Sequence, residues 1–461
     1  MTYEEALPLL ARHGQSHLLR FWDELDEVQR ASLLADIDAL DFDLVAKLYA
    51  DLVKNPVPAS GAAGSSSQET IEPLRGEKPS EDALSEMGLI GMEALRQGRC
   101  AAFLVAGGQG TRLGHDGPKG AFDIGLPSGK SLFQLQAERL RRLERMAGRP
   151  VPWYIMTSRE NHDATVGFFR EHSFFGLNKT EVLFFPQAEL PLVDGEGKIL
   201  LSEKGKISLG PNGNGGCFPA LKQSGALADM RDRGVYWVFT YSVDNALVRV
   251  CDPDFLGFAI GSKRQAASKA VTKASPEERV GVFCLRDERP SVIEYSEMSP
   301  EMCAARDTEG LLYGSANIAV HLFRRDFLEL HADADLPYHV AHKKIPHVDA
   351  QGKAVTPDAP NAWKFELFMF DLFPRARAMA VLDVERAAEF APVKNRDGAD
   401  SPATARRMIL DLHRSWAVAA GIPEATLKGM EVEVSPIVSY AGEGLKPGSF
   451  HRDEARKLIW A

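Results

Sequence analysis

The chain is poor in cysteine: five in 461 residues, at Cys100, Cys217, Cys251, Cys284 and Cys303. They are scattered, odd in number and lack the paired spacing of a metal site. The pattern therefore speaks for reduced thiols and against a disulfide framework or a zinc module. Positive charge is also in deficit. With 54 Lys and Arg against 64 Asp and Glu, the formal net charge is -10, which excludes a broad nucleic-acid surface. A small phosphorylated ligand is still allowed, because it needs only a few local cations. No apolar run approaches the roughly 18 residues of a membrane span. The opening Met-Thr-Tyr-Glu-Glu lacks the basic start and apolar core of a secretory signal, so a cytoplasmic protein without a membrane partner is expected. No internal repeat is visible. Composition is otherwise that of an ordinary globular chain, 44% hydrophobic and 26% charged, and long enough for two to four domains.

Against this background one segment stands out: Leu104 to Gly120, LVAGGQGTRLGHDGPKG. The apolar stretch Cys100 to Ala106 reads as a buried parallel strand. It runs into a turn carrying Gly107, Gly108, Gly110 and Gly114, then Arg112, and then Lys119 after a proline. Glycines let backbone N–H groups crowd a polyanion, and the two cations offer charge to phosphate oxygens. Open α/β sheets place ligands at the carboxyl ends of their strands, which is where this loop falls. Two familiar phosphate motifs fail on spacing. A dinucleotide fingerprint would need glycine where Leu113 stands, and Gly125 precedes Gly129-Lys130-Ser131 by one residue too few for a P-loop. The Gly-Gly-x-Gly-x-Arg-x-Gly run followed by Pro-Lys instead resembles the signature of sugar-nucleotide pyrophosphorylases. A tight strand-to-helix connection is the plain alternative.

The rest of the chain supplies a frame for that loop. Residues 1 to about 53 carry leucines and aromatics at three- and four-residue spacing and read as packed helices. Asn55 to Ser80, rich in Pro, Gly and Ser, reads as a connection. From about Asp82 helices and strands alternate. Helices are expected over Ala83–Gln97, Ser131–Met146, Ala164–Glu171 and Ala220–Arg233, and strands over Val151–Thr157, Val182–Phe185 and Val235–Ser242. The aromatic stretch around Lys364 looks helix-like. Alternation of this kind predicts a mostly parallel sheet covered by helices. Three parts are expected: 1–97 (helical segment and linker), 98–382 (catalytic domain) and 383–461 (small C-terminal domain).

Several further residues could carry chemistry, each with a plainer reading beside it. Asp244 follows the apolar strand that ends at Ser242 and should project at the same sheet edge as the glycine loop. A carboxylate there suits Mg²⁺, which binds through one or two carboxylates, phosphate oxygens and water. It could equally be a helix cap or turn former helped by Asn245. Pro211 to Gly216 must be a loop, either wrapped on a ligand through Asn214 or simply an exposed turn. Gln187 could read a nucleobase edge or end a solvated strand. Lys364 and Lys394 could meet phosphates, the latter across a domain cleft, or be ordinary surface lysines.

Taken together and in order, these segments resemble the eukaryotic-type UDP-N-acetylglucosamine pyrophosphorylase family. The match runs from Ala11–Leu25 through Gly107–Lys119, Met156–Ser158, Phe168–His172, Asn212–Gly216, Val243–Asn245, Ile293–Glu297, Ala316–Ile318 and Lys364–Phe370 to Pro392–Arg396. The resemblance implies a Rossmann-like, GT-A-like nucleotidyltransferase domain with an N-terminal helical segment and a small C-terminal domain. It implies uridylyl transfer from UTP to a sugar-1-phosphate, with Mg²⁺ (or Mn²⁺) as cofactor and a monomer or weak homodimer as the working form. By motif, Gly107, Gly108, Gly110, Gln187 and Gly213 would hold the nucleotide, and Arg112 and Lys119 its triphosphate. Asp244 would serve the metal, and Lys364 and Lys394 would meet phosphates. Asn214, Glu294, Tyr295 and Asn317 would surround the sugar. Two departures touch sugar choice: Ala316 stands where the family has glycine, and Asn212 where it has an acid. The rivals are the same chemistry on glucose- or galactose-1-phosphate, a nucleotide sensor without catalysis, and a nicotinamide oxidoreductase, which the glycine spacing disfavours.

Overall fold

A computed structural model describes residues 1–56, 70–455 and 457–461, so residues 57–69 of the expected connection lie outside the described residues. The chain divides into two compact units. The larger is built on a ten-stranded mixed sheet. Its site-bearing part is parallel: Val182–Pro186, Trp153–Thr157, Cys100–Val105 and Trp237–Ser242 lie side by side in that order. The last three are almost wholly buried, as expected where helices cover both faces, while the edge strand Val182–Pro186 is only partly so. Ser315–Arg324 continues the sheet in antiparallel sense beside Trp237–Ser242, and Ala266–Thr272 pairs with it on the other side.

Local signals explain the helices that flank this block. The helix Leu132–Ala147 starts at the N-cap Ser131, whose hydroxyl accepts from Gln134 N, and stops at Gly148 in the left-handed region. Its apolar face supplies Phe133, Ala137, Leu140 and Leu143 to the main core. The expected helix over 220–233 is instead two, Cys217–Gln223 and Ala226–Asp232, because Gly225 at φ +80° interrupts it.

The smaller unit joins the N-terminal helices to Gln187–Gly216 and Asp335–Leu372. Leu10, Leu33, Ile37, Val45 and Leu48 share one apolar cluster with Val193, Ile199, Ile207 and Phe365. This partition differs from the sequential three-part division expected from sequence. The helix Glu81–Arg96 belongs with the larger unit, and so does the chain after 383. Met379–Asp383 adds a parallel strand to the central sheet. The helix Pro402–Ala419 and a three-stranded sheet then enclose a small core of Ala417, Leu427, Met430, Val432 and Ile459. The stretch around Lys364 is not helical. Ala362–Leu367 is a strand paired with Tyr338–Lys343, and Trp363 and Phe365, two residues apart, share the face that packs on the smaller unit's apolar cluster.

Candidate active site

The glycine loop leaves the sheet after Val105, where Ala106 N donates to Met156 O at 2.8 Å. It then folds back on itself. Gly110 N donates to Gly117 O (2.9 Å) and Lys119 N to Gly108 O (3.1 Å), around a single 3₁₀ turn at Thr111–Leu113. Gly114 sits at φ +74°, which a side chain would strain. Gly108 is exposed, and a Cβ there would meet nothing within 4 Å. Packing therefore does not explain that glycine, whereas close approach of a ligand would. Arg112 is exposed and Lys119 half-buried. Neither side chain has a hydrogen-bond or ion-pair partner among the described residues.

Asp244 lies at the end of the adjacent parallel strand. Ser242 pairs with Val105, and Val243 N donates to Val105 O at 3.2 Å, so the carboxylate and the glycine loop leave the same sheet edge. The turn-forming role belongs to Asn245 instead. Its Oδ1 accepts from Leu247 N (3.2 Å) and Ala391 N (3.0 Å), and its Nδ2 donates to Glu389 O (2.7 Å). The Asp244 carboxylate caps nothing and has no partner among the described residues. A strap of chain runs alongside it. Ala246 N donates to Ala391 O (3.0 Å) and Val393 N to Asp244 O (2.9 Å), which puts exposed Lys394 one residue beyond the Asp244 contact. The Lys394 ammonium lies 6.0 Å from the centre of the Phe390 ring.

No group of three or more His, Cys, Asp or Glu able to hold a metal occurs among the described residues. A single free carboxylate beside a phosphate-type loop nevertheless fits Mg²⁺, whose remaining positions go to phosphate oxygens and water. It would not fit zinc.

A second group in the larger unit gathers Glu294, Asn317 and Gly281. Asn317 N donates to Gly281 O (2.9 Å), and its Oδ1 accepts from Ala319 N (2.9 Å). Ala319 is at φ +55°, and the pairing of its strand with Ala266–Thr272 slips in register there. A Cβ on Gly281 would lie 2.9 Å from Glu294 Oε1. Tyr295, next in sequence, is 46% exposed.

The remaining residues singled out from sequence belong to the smaller unit. Gln187 is its first residue after the strand Val182–Pro186 and is buried. Gly213 has φ +88°, and a Cβ there would lie 2.3 Å from Leu367 O, so its glycine is required by packing against that strand. Asn214 uses its Oδ1 to accept from Met369 N at 2.8 Å, leaving its amide N–H groups for other partners. Lys364 is not free: two residues along the same strand face, Glu366 Oε1 lies 2.8 Å from its Nζ.

Three positioning residues escaped the sequence reading. Buried Asn161 donates from Nδ2 to Ala106 O (3.0 Å) and Gly108 O (3.3 Å), holding the base of the glycine loop. Gln136 Nε2 reaches Val243 O (3.4 Å) and Arg139 Nη2 reaches Ala246 O (3.0 Å), gripping the Asp244 turn from the Leu132–Ala147 helix. Burial pulls the Arg139 guanidinium down to about 10. Polar residues at 136 and 139 on the buried face of an amphipathic helix were the available signal.

Residues 61–434 match the family model described as UTP–glucose-1-phosphate uridylyltransferase. A human protein named UDP-N-acetylhexosamine pyrophosphorylase-like protein 1 is 42% identical over 476 residues, covering 95% of this chain and 93% of its own. The UDP-N-acetylglucosamine pyrophosphorylase of Saccharomyces cerevisiae is 41% identical, with 95% of each chain covered. The crystal structure of the Trypanosoma brucei UDP-N-acetylglucosamine pyrophosphorylase in complex with an inhibitor superposes with a TM-score of 0.80. It is 31% identical, covering 97% of this chain and 95% of that one. The fold, the paired loop and carboxylate, and these relatives lead to one assignment: the chain belongs to the UTP–glucose-1-phosphate uridylyltransferase family, in its UDP-N-acetylglucosamine pyrophosphorylase branch.

Proposed function

We propose that the protein transfers uridylyl from UTP to N-acetylglucosamine-1-phosphate, giving UDP-N-acetylglucosamine and pyrophosphate. The observation that carries the reading is the unpartnered Asp244 carboxylate, which leaves the same edge of the parallel sheet as the glycine loop. In this reaction a phosphate oxygen of the sugar-1-phosphate forms a bond to the α-phosphorus of UTP. The bond from that phosphorus to the bridging oxygen breaks, and pyrophosphate departs with the electron pair. No covalent enzyme intermediate is needed, so the protein contributes position and fixed charge.

Each residue then has a task. The loop amides at Gly107, Gly108 and Gly110 cradle phosphate, and Arg112 and Lys119 neutralise charge growing toward pyrophosphate. Lys394 holds the incoming phosphate, which would otherwise be repelled by UTP. Asp244 would hold Mg²⁺ (or Mn²⁺), which when bound supplies Lewis-acid neutralisation of phosphate oxygens. Glu294, Tyr295, Asn317 and Asn214 are assigned to the sugar, and Gln187, Gly213 and Lys364 to the nucleotide. For Lys364 the assignment requires it to leave Glu366 or to act with it. No helix among the described residues is long and apolar enough to cross a membrane. Action in the cytoplasm as a monomer or weak homodimer belongs to the same proposal.

The test is product identification after incubation with UTP, Mg²⁺ and four sugar-1-phosphates: N-acetylglucosamine, N-acetylgalactosamine, glucose and galactose. Preference for glucose-1-phosphate would overturn the sugar assignment while keeping the chemistry. UTP binding without any product would overturn the enzyme.

A further inference from the structure

Behind the strap that carries Lys394 lies a buried ionic cluster that the proposed chemistry does not use. Lys269, in the middle of the strand Ala266–Thr272, is 0% exposed. Its Nζ lies 2.5 Å from Asp252 Oδ2 and 2.5 Å from Glu389 Oε2, both buried. Arg249 Nε stands 3.9 Å from Glu389 Oε1, so two cations balance two carboxylates. Half-buried Asp254 and the phenol of Tyr440 complete the titratable surroundings. Charge of this kind is costly to bury, and apolar residues of equal volume commonly give the same stability or more. Stability alone is therefore a poor account of it.

Connectivity offers a better one. Asp252 caps the helix Pro253–Ser262, and among the described residues its carboxylate forms no direct hydrogen bond or ion pair with the strap. Glu389 begins the strap: its carbonyl accepts from Asn245 Nδ2, and the following residues Ala391 and Val393 are hydrogen-bonded to Ala246, Asn245 and Asp244. The carboxylate of Glu389 thus ties one end of a six-residue strap to a buried strand of the large sheet, while Lys394 stands at the other end.

We infer that Glu389, oriented by Lys269, is a positioning residue. It sets the register of the 389–394 strap against Asp244 and so fixes where Lys394 meets the sugar phosphate. This rests on the role proposed for Lys394.

Glu389→Gln and Asp252→Asn provide matched variants, since each removes one carboxylate from the same lysine and keeps its shape. Both should lower the thermal midpoint by similar amounts. Only Glu389→Gln should raise the KM for N-acetylglucosamine-1-phosphate, by about tenfold, with the KM for UTP within twofold of wild type. Asn245→Ser leaves every charge in place but removes the amide that grips the strap. It should give the same KM pattern even if Glu389→Gln does not fold. Equal KM effects in Glu389→Gln and Asp252→Asn, or a wild-type KM in Asn245→Ser, would overturn the inference. Lys394→Ala separates the two layers. If it leaves the sugar-phosphate KM unchanged, the role of Lys394 falls. If it raises that KM while Glu389→Gln and Asn245→Ser do not, only the positioning role falls.

Discussion

Replacing Asp244 by asparagine keeps the volume and removes one negative charge. The side chain has no partner among the described residues, and its backbone carbonyl, which accepts from Val393 N, is untouched by the change. The fold should therefore lose no more than about 0.5 kcal/mol, the range for substitutions away from structural contacts. Rate is another matter. If the carboxylate serves a cation on the phosphates, its loss removes a charge-stabilising group of the kind whose deletion costs roughly 100-fold or more in turnover. That factor corresponds to about 2.7 kcal/mol of transition-state stabilisation. The assay is pyrophosphate release from UTP and N-acetylglucosamine-1-phosphate across a Mg²⁺ titration, with the thermal midpoint measured on the same samples. A fall in kcat with the midpoint held within about 1 °C is expected, together with a higher Mg²⁺ requirement. Turnover within threefold of wild type at every Mg²⁺ concentration would refute the assignment of Asp244.

Two further outcomes follow from other contacts. Asn161→Ala removes both side-chain hydrogen bonds to the carbonyls of Ala106 and Gly108. It should raise the KM for UTP by about tenfold and leave that for the sugar phosphate nearly unchanged, as initial-rate kinetics at saturating co-substrate would report; each lost buried bond is worth about 1 kcal/mol. Burial holds the His413 imidazole at about 3, where its Nδ1 accepts from Val434 N. The unfolded chain binds this proton near pH 6.5, so between 6.5 and 3 it holds more protons than the folded protein, and stability falls as pH is lowered. By pH 5 the loss from this residue is about 2 kcal/mol. His413→Gln should flatten the fall of the thermal midpoint between pH 6.5 and 5, and an unchanged slope would refute that account. His321, buried and also held at about 3, keeps the remaining slope.

Much of the proposed site was visible in residue order because its signals are local. The loop 107–119 announces itself through its clustered glycines, and Asp244 through its place just after an apolar strand. Other elements misled for the same reason. Lys364 sits in an aromatic run whose spacing suits a helix, yet pairing with Tyr338–Lys343 makes it a strand and places Glu366 beside it. Gly225 ended a helix that apolar periodicity alone would have continued.

The sequence by itself determined which groups are on offer: a glycine-rich loop, a carboxylate just after an apolar strand and a set of lysines, in the order of one enzyme family. Local backbone preference and hydrophobic period are sufficient to specify those features, because each depends on a few neighbouring residues. Only the tertiary structure decided which polar groups are occupied and which are left unpartnered. Asn245 relieves Asp244 of turn duty, Glu366 engages Lys364, and Lys269 ties the start of the Lys394 strap. The Lys269–Glu389 and Asn245–Ala391 contacts join residues 120 and 146 positions apart. They depend on how strands stack and where charge can be buried, which no periodicity along the chain records.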